Sequence, residues 1–190
     1  MKKIICFGDS NTSGYDPSDP LGGRYPEHQR WTTLLEKLSE VPIINCGMEG
    51  RCVPQKGREA EAELQVILSQ RPFDGVVLML GTNDIINSAI PNTQKIAARM
   101  ENFVRMLQAA EPSARILIIA PPGIEGYGLT VFQNTVSLAD RYRRMARNLG
   151  IEYADATEWN LKFAYDGIHL TPEANRVFAE KVAAALGIRK

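Results

Sequence analysis

ICFGDSNTSGY, residues 5–15, begins as an apolar strand and ends in a run of small polar side chains. An uninterrupted apolar run such as Ile4, Ile5, Cys6 and Phe7 has no polar alternation, so it reads as a strand buried on both faces. Gly8 permits a turn. Asp9, Ser10, Asn11, Thr12 and Ser13 then place a carboxyl, an amide and three hydroxyls at the strand's tip. The strand itself is expected from Lys2 to Phe7.

Working outward, three more runs have the same character: VPIINC (41–46), GVVLML (75–80) and RILIIA (115–120). IEYADA (151–156) is a weaker fifth. Helical patterns lie between them. Ile96, Met100, Phe103, Val104 and Leu107 recur at spacings of three and four and predict a helix over 93–110. Others are predicted over 31–38, 58–69, 134–149 and 171–186. The last has Thr171 as N-cap, Pro172 at the first helical position and Glu173 in the first turn. Gly150 and Gly187 supply stop signals for the last two. Strands alternating with helices predict a three-layer α/β/α fold, with a flavodoxin-like, five-stranded, mostly parallel sheet.

A chain of 190 residues suits one well-buried core, so residues 1–190 are expected to form a single domain. Hydrophobic residues at 44% and charged residues at 23% match globular usage. With 22 basic and 22 acidic residues, no global field favours nucleic acid or anionic lipid. No apolar stretch approaches the roughly 20 residues that span a bilayer, and the first strand begins too early for a signal peptide. No membrane association and a cytoplasmic location are therefore expected. Three cysteines without C-x-x-C spacing suggest neither disulfides nor zinc. Cys6 and Cys46 read as core residues and Cys52 as a more exposed one.

In open parallel sheets ligands bind beyond the carboxyl ends of the strands. There stand Gly8-Asp9-Ser10-Asn11, then Gly47, then Gly81-Thr82-Asn83-Asp84, then Pro121-Pro122-Gly123. DGIHL (166–170) precedes the last helix. A serine attacks a carbonyl only if a base takes its proton, and histidine suits that task near neutral pH. Of two histidines, His28 lies in a polar loop, whereas His169 stands beside a helix start and is the preferred base. Asp166, across Gly167, can turn back to orient the imidazole, although Asp-Gly is also an ordinary turn pair. Asn83, the Gly47 N–H and the Ser10 N–H are candidate donors for an oxyanion. Gly47 is read as allowing close approach of substrate to backbone. Asp9 and Asp84 read as loop braces.

The segments FGDSNTSGY, INCGMEG, LGTNDI and DGIHLTPEAN occur in the order found in the SGNH, or GDSL, hydrolase superfamily, which the chain resembles over nearly its whole length. CFGDSNTSGYDP with RWTTLLEKL is most similar to its arylesterase-like branch. The resemblance implies Ser10 as nucleophile, Asp166 and His169 as acid and base, and Gly47 and Asn83 as oxyanion donors. It implies hydrolysis of a small-molecule ester through an acyl-enzyme, with no cofactor and no metal. The G-x-S-x-G motif of α/β-hydrolases is absent around Ser10.

A flavodoxin-like ligand-binding module is the alternative, since DSNTSG after a first strand superficially suits phosphate capture. It leaves His169 idle, and Pro17, Pro20, Gly22 and Gly23 delay the next helix to about Trp31. A binuclear metal site using Asp9, Asp84, Asp166 and His169 is a weaker alternative. Substrate choice is expected in the loops 15–30 and 121–133, with Tyr15, Tyr25, Trp31, Tyr127 and Phe132 as candidate pocket walls or packing residues. Short acyl chains are expected, and the same loops are candidates for a homo-oligomer interface.

Overall fold

The computed structural model describes residues 3–188, so Lys2, the first residue of the expected opening strand, lies outside them. Five strands, β1 (Ile4–Gly8), β2 (Ile43–Gly47), β3 (Gly75–Met79), β4 (Arg115–Ala120) and β5 (Glu152–Asp155), form one parallel sheet in the order β2-β1-β3-β4-β5. Register pairs Gly8 with Gly47 on one side of β1 and with Met79 on the other. The carboxyl ends of the three strands carrying site candidates therefore finish level.

Among the described residues seven α-helices accompany the sheet: α1 (Ser10–Ser13), α2 (Trp31–Ser39), α3 (Arg58–Leu68), α4 (Thr82–Ile86), α5 (Thr93–Ala110), α6 (Gly128–Leu149) and α7 (Pro172–Ala185). Side chains alternate across the central strands because the strand period is two. Ile5, Phe7, Val76, Leu78, Ile116 and Ile118 join one core with Met100, Phe103, Val104 and Leu107 of α5 and Leu138 and Tyr142 of α6. Ile4, Cys6, Val77, Met79, Leu117 and Ile119 join the other, with Trp31 and Leu35 of α2 and Phe178 and Val182 of α7. Phe7 meets Phe103 at 5.5 Å between centroids, and Trp31 meets Phe178 at 5.0 Å. Each such buried side chain contributes about 1.5–3 kcal/mol of transfer free energy.

Three helices depart from the sequence expectation, among them α4, whose residues Thr82, Asn83 and Asp84 read in the sequence only as the end of a strand. α6 starts at Gly128 rather than Asn134, which reduces the expected 121–133 loop to 121–127. Its opening turns escape sequence reading because Leu129 and Phe132 are exposed, and Tyr127 at the N-cap makes no side-chain hydrogen bond. α1 was expected to be loop. Its four polar residues have little helical propensity, and tertiary bonds hold the turn: Asn45 Nδ2 donates to Thr12 O (2.7 Å) and Trp31 Nε1 to Asn11 O (3.0 Å). Both ends of α7 agree with their signals: at the start Thr171 Oγ1 accepts from Ala174 N–H (3.2 Å), and past the end Gly187 has φ +68°.

Candidate active site

Asp9 follows β1 and caps α1, its Oδ1 accepting the Asn11 N–H at 3.0 Å. Ser10 is therefore the first residue of a one-turn helix, and its backbone N–H makes no hydrogen bond among the described residues. Asn11 then reaches the far end of the chain. Its Nδ2 donates to Ile168 O (3.1 Å) and its Oδ1 accepts the Leu170 N–H (3.0 Å), fastening the 166–170 loop onto α1.

That clamp brings His169 to Ser10. His169 Nε2 lies 2.9 Å from Ser10 Oγ, and His169 Nδ1 lies 2.5 Å from Asp166 Oδ2. Asp166 Oδ1 accepts the backbone N–H groups of Ile168 (3.0 Å) and His169 (3.1 Å), so the carboxylate is fixed by its own turn. Partial burial raises the Asp166 carboxyl. The hydrogen bond from the His169 ring and those from Ile168 and His169 N–H outweigh it, and the net shift is below the ordinary value. The group stays ionised and able to orient the ring. Gly167 (φ +70°) has no room for a Cβ, which would meet Glu125 O at 2.2 Å. The Tyr15 ring lies 4.7 Å from the His169 ring, between centroids.

The proposed backbone donor at position 47 is occupied. Gly47 N–H donates to Asn45 Oδ1 at 2.9 Å, and a Cβ on Gly47 would lie 2.1 Å from Ser13 N. Glycine is required there because α1 packs against β2, which replaces the expected reason of substrate approach. The following turn is more open: Arg51 N–H donates to Met48 O (3.2 Å), Gly50 has φ +71°, and its N–H has no partner among the described residues. Asn83 joins this turn, one hydrogen of its amide going to Arg51 O (3.0 Å) and the other having no partner among the described residues.

Arg51 was not anticipated. Buried beneath the turn, it donates from Nη1 to Gly8 O (2.8 Å) and to Cys46 O, pairs with Glu63 (3.3 Å), and lies 4.1 Å from the Phe7 ring centroid. It ties the carboxyl ends of β1 and β2 together. Asn11 was also missed. Both work through backbone atoms distant in sequence, a pairing that no local spacing signals.

Asp84 holds a neighbouring loop, its Oδ2 accepting Val53 N–H (2.9 Å) while Oδ1 pairs with Arg99. Asp9, Asp84, Asp166 and His169 form no group able to hold a metal ion among the described residues. Two of the aromatics considered as pocket walls serve as packing: Trp31 is fully buried and Tyr25 is 6% exposed, whereas Tyr127 and Phe132 are half exposed. Burial raises the Cys52 thiol to about 11, with Asp84 adding to it, so Cys52 is a weak nucleophile.

Comparison with known proteins agrees with this architecture. Residues 6–177 match the GDSL-like Lipase/Acylhydrolase family. A carbohydrate acetylesterase from Sinorhizobium meliloti superposes with a TM-score of 0.81 at 26% identity, covering 97% of this chain and 99% of that one. The M. smegmatis aryl esterase gives 0.80 at 26% identity, covering 100% and 99%. A GDSL esterase/lipase of Arabidopsis thaliana is 25% identical over 108 residues, 44% of this chain and 45% of that protein. The chain belongs to the GDSL-like lipase/acylhydrolase family, a family of carboxylic ester hydrolases, and has the parallel α/β sheet of its structural relatives.

Proposed function

We propose that the protein is a serine esterase that cleaves small carboxylic esters through Ser10, His169 and Asp166. The observation that carries this reading is the pair of contacts made by one imidazole, 2.9 Å to Ser10 Oγ and 2.5 Å to Asp166 Oδ2. His169 Nε2 takes the Ser10 proton as Oγ bonds to the ester carbon. The carbonyl π electrons move onto oxygen, and Asp166 stabilises the imidazolium. Collapse of the tetrahedral intermediate breaks the bond to the alcohol, which leaves with the proton from His169. Water, deprotonated by the same imidazole, then releases the acid and regenerates Ser10.

The oxyanion needs donors that the resting protein has not already spent. Three stand at this edge of the sheet: the Ser10 N–H, the free Asn83 amide hydrogen and the Gly50 N–H. We assign the hole to them, with Gly50 taking the place first given to Gly47. Aryl esters and acetylated sugars are the first substrates to try, because relatives of full length carry those activities in their names.

A phosphate-binding reading has less support. The N-terminus of α1 is filled by the Asp9 carboxyl, which is 1% exposed and already accepts the Asn11 N–H. A helix of one turn capped in this way offers little to an anion.

Ser10→Ala is the test. It should abolish hydrolysis of p-nitrophenyl acetate while leaving the circular dichroism spectrum and melting temperature near wild type. Undiminished turnover would remove Ser10 from the mechanism.

A further inference from the structure

A cleft of about 760 Å³ opens where the segment after Arg51 meets α4 and the start of α5. Gln55, Lys56, Asp84, Asn92, Lys95 and Arg99 are among the residues that line it. Its size lies within the roughly 300–1,000 Å³ of ordinary small-molecule sites. Its charge is one-sided, with three cationic side chains facing a single carboxylate. Asp84 is already committed to Val53 N–H and to Arg99. Lys56 and Lys95 form no ion pair among the described residues. Glu59, one turn along from Lys56, accepts the Gln55 N–H (3.1 Å) and does not line the cleft. In a chain of zero net charge, this is a local field rather than a consequence of composition.

The cleft adjoins the candidate catalytic residues through consecutive positions. Asp84 follows Asn83, and Gln55 and Lys56 continue the segment that Arg51 O and Val53 N–H fasten to Asn83 and Asp84. The two sides of the site also belong to different faces of the sheet. His169 precedes α7, which packs on the α2 face, whereas the cleft is built on α5, which packs on the opposite face. Glu49 stands with His169: its carboxylate takes a hydrogen bond from Ser13 Oγ, and it interacts electrostatically with Arg24 and His169. The leaving alcohol must lie beside the imidazole that protonates it. With the carbonyl oxygen held by the Ser10 N–H, the Gly50 N–H and Asn83, the acyl group is left to run on the side away from His169 and Glu49, where the 51–56 segment and α4 lead into the cleft.

We propose that this cleft is the acyl-side subsite and that it selects esters whose acyl group ends in a carboxylate. The inference rests on the serine-esterase reading and adds the substrate class to it. Lys56 and Lys95 attract the terminal carboxylate, while Glu49 repels the same group from the leaving-group side. The substrate thereby gains one orientation.

The test compares 4-nitrophenyl hydrogen adipate with methyl 4-nitrophenyl adipate, and the corresponding suberate pair, in each of which a terminal carboxylate is set against its neutral methyl ester. The wild type should prefer the charged ester on the order of threefold to tenfold in kcat/KM, chiefly through KM, as two partly exposed charge contacts allow. Added salt should shrink the preference. Lys56→Ala combined with Lys95→Ala should abolish it, bringing kcat/KM of the charged ester to or below that of the neutral one, and the double arginine variant should retain it. A wild-type ratio at or below one for both pairs, or a preference that survives the double alanine variant, overturns the inference. Ser10→Ala separates the two readings. Persistent turnover in that variant overturns the serine-esterase reading, whereas lost turnover with no charge preference in the wild type overturns only the subsite.

Discussion

Asp9 immediately precedes Ser10, and its Oδ2 is buried without a hydrogen-bond partner among the described residues. Burial pushes its pKa up to about 7, against the opposing pull of the Asn11 N–H and the Arg51 charge. The unfolded chain titrates near the ordinary value of 3.8, so between the two values the folded protein keeps a proton that the unfolded chain releases. Stability is then fully present below the lower value and falls as pH rises toward about 7, by at most about 1.4 kcal/mol per pH unit. Asp9→Asn keeps an acceptor for the Asn11 N–H and removes the titration. Its denaturation midpoint should gain on the wild type from about pH 4 to about pH 7, whereas a constant gap would contradict the assignment. Asn83→Ala should cost roughly 2.7–4 kcal/mol of transition-state stabilisation, read as lower kcat; an unchanged rate would exclude it from the oxyanion hole. At this scale the sequence was most legible for the side chains proposed to do chemistry. Ser10, Asp166 and His169 are each compatible with an ordinary strand-end turn and became readable only as members of ordered sequence blocks, whereas the reason for Gly47 was misread because its packing partner, the Ser13 backbone, belongs to a helix with no signal of its own.

The short element α1 depends on its neighbours. A four-residue helix cannot persist on its own bonds, and it is held by Asp9, Asn45, Trp31 and the close approach of Gly47. Gly47→Ala would drive a Cβ into the Ser13 backbone, so it should lower the melting temperature and esterase activity together. Gly50→Ala meets nothing within 4 Å and pays only for its positive φ, about 1–2 kcal/mol. It should stay folded, with any loss confined to kcat. Equal stability of the two variants would contradict the packing argument. Helices with apolar periodicity or caps, such as α5 and α7, were legible in the sequence. The start of α6 was not, because Leu129 and Phe132 are exposed there and Val131 alone leans on the core, which makes no rhythm.

Across the molecule, both cores are built on opposite faces of the same five strands. Neither face can be exposed without loosening the strands that form the other. Thermal unfolding should therefore be one transition by both tryptophan fluorescence and far-ultraviolet circular dichroism; two separated transitions would contradict a single cooperative domain. The strand pattern made the parallel sheet legible from continuous apolar runs. The convergence of Ser10 with His169 was legible only as an expectation, because the Asn11 clamp that produces it joins residues 157 and 159 positions apart. The claim that Ser10 is the nucleophile is tested most directly by labelling the purified protein with an active-site-directed fluorophosphonate and mapping the adduct by mass spectrometry. One adduct is expected, on Ser10, formed in step with loss of esterase activity. Activity lost with the adduct on another residue, or retained with Ser10 fully modified, would contradict it.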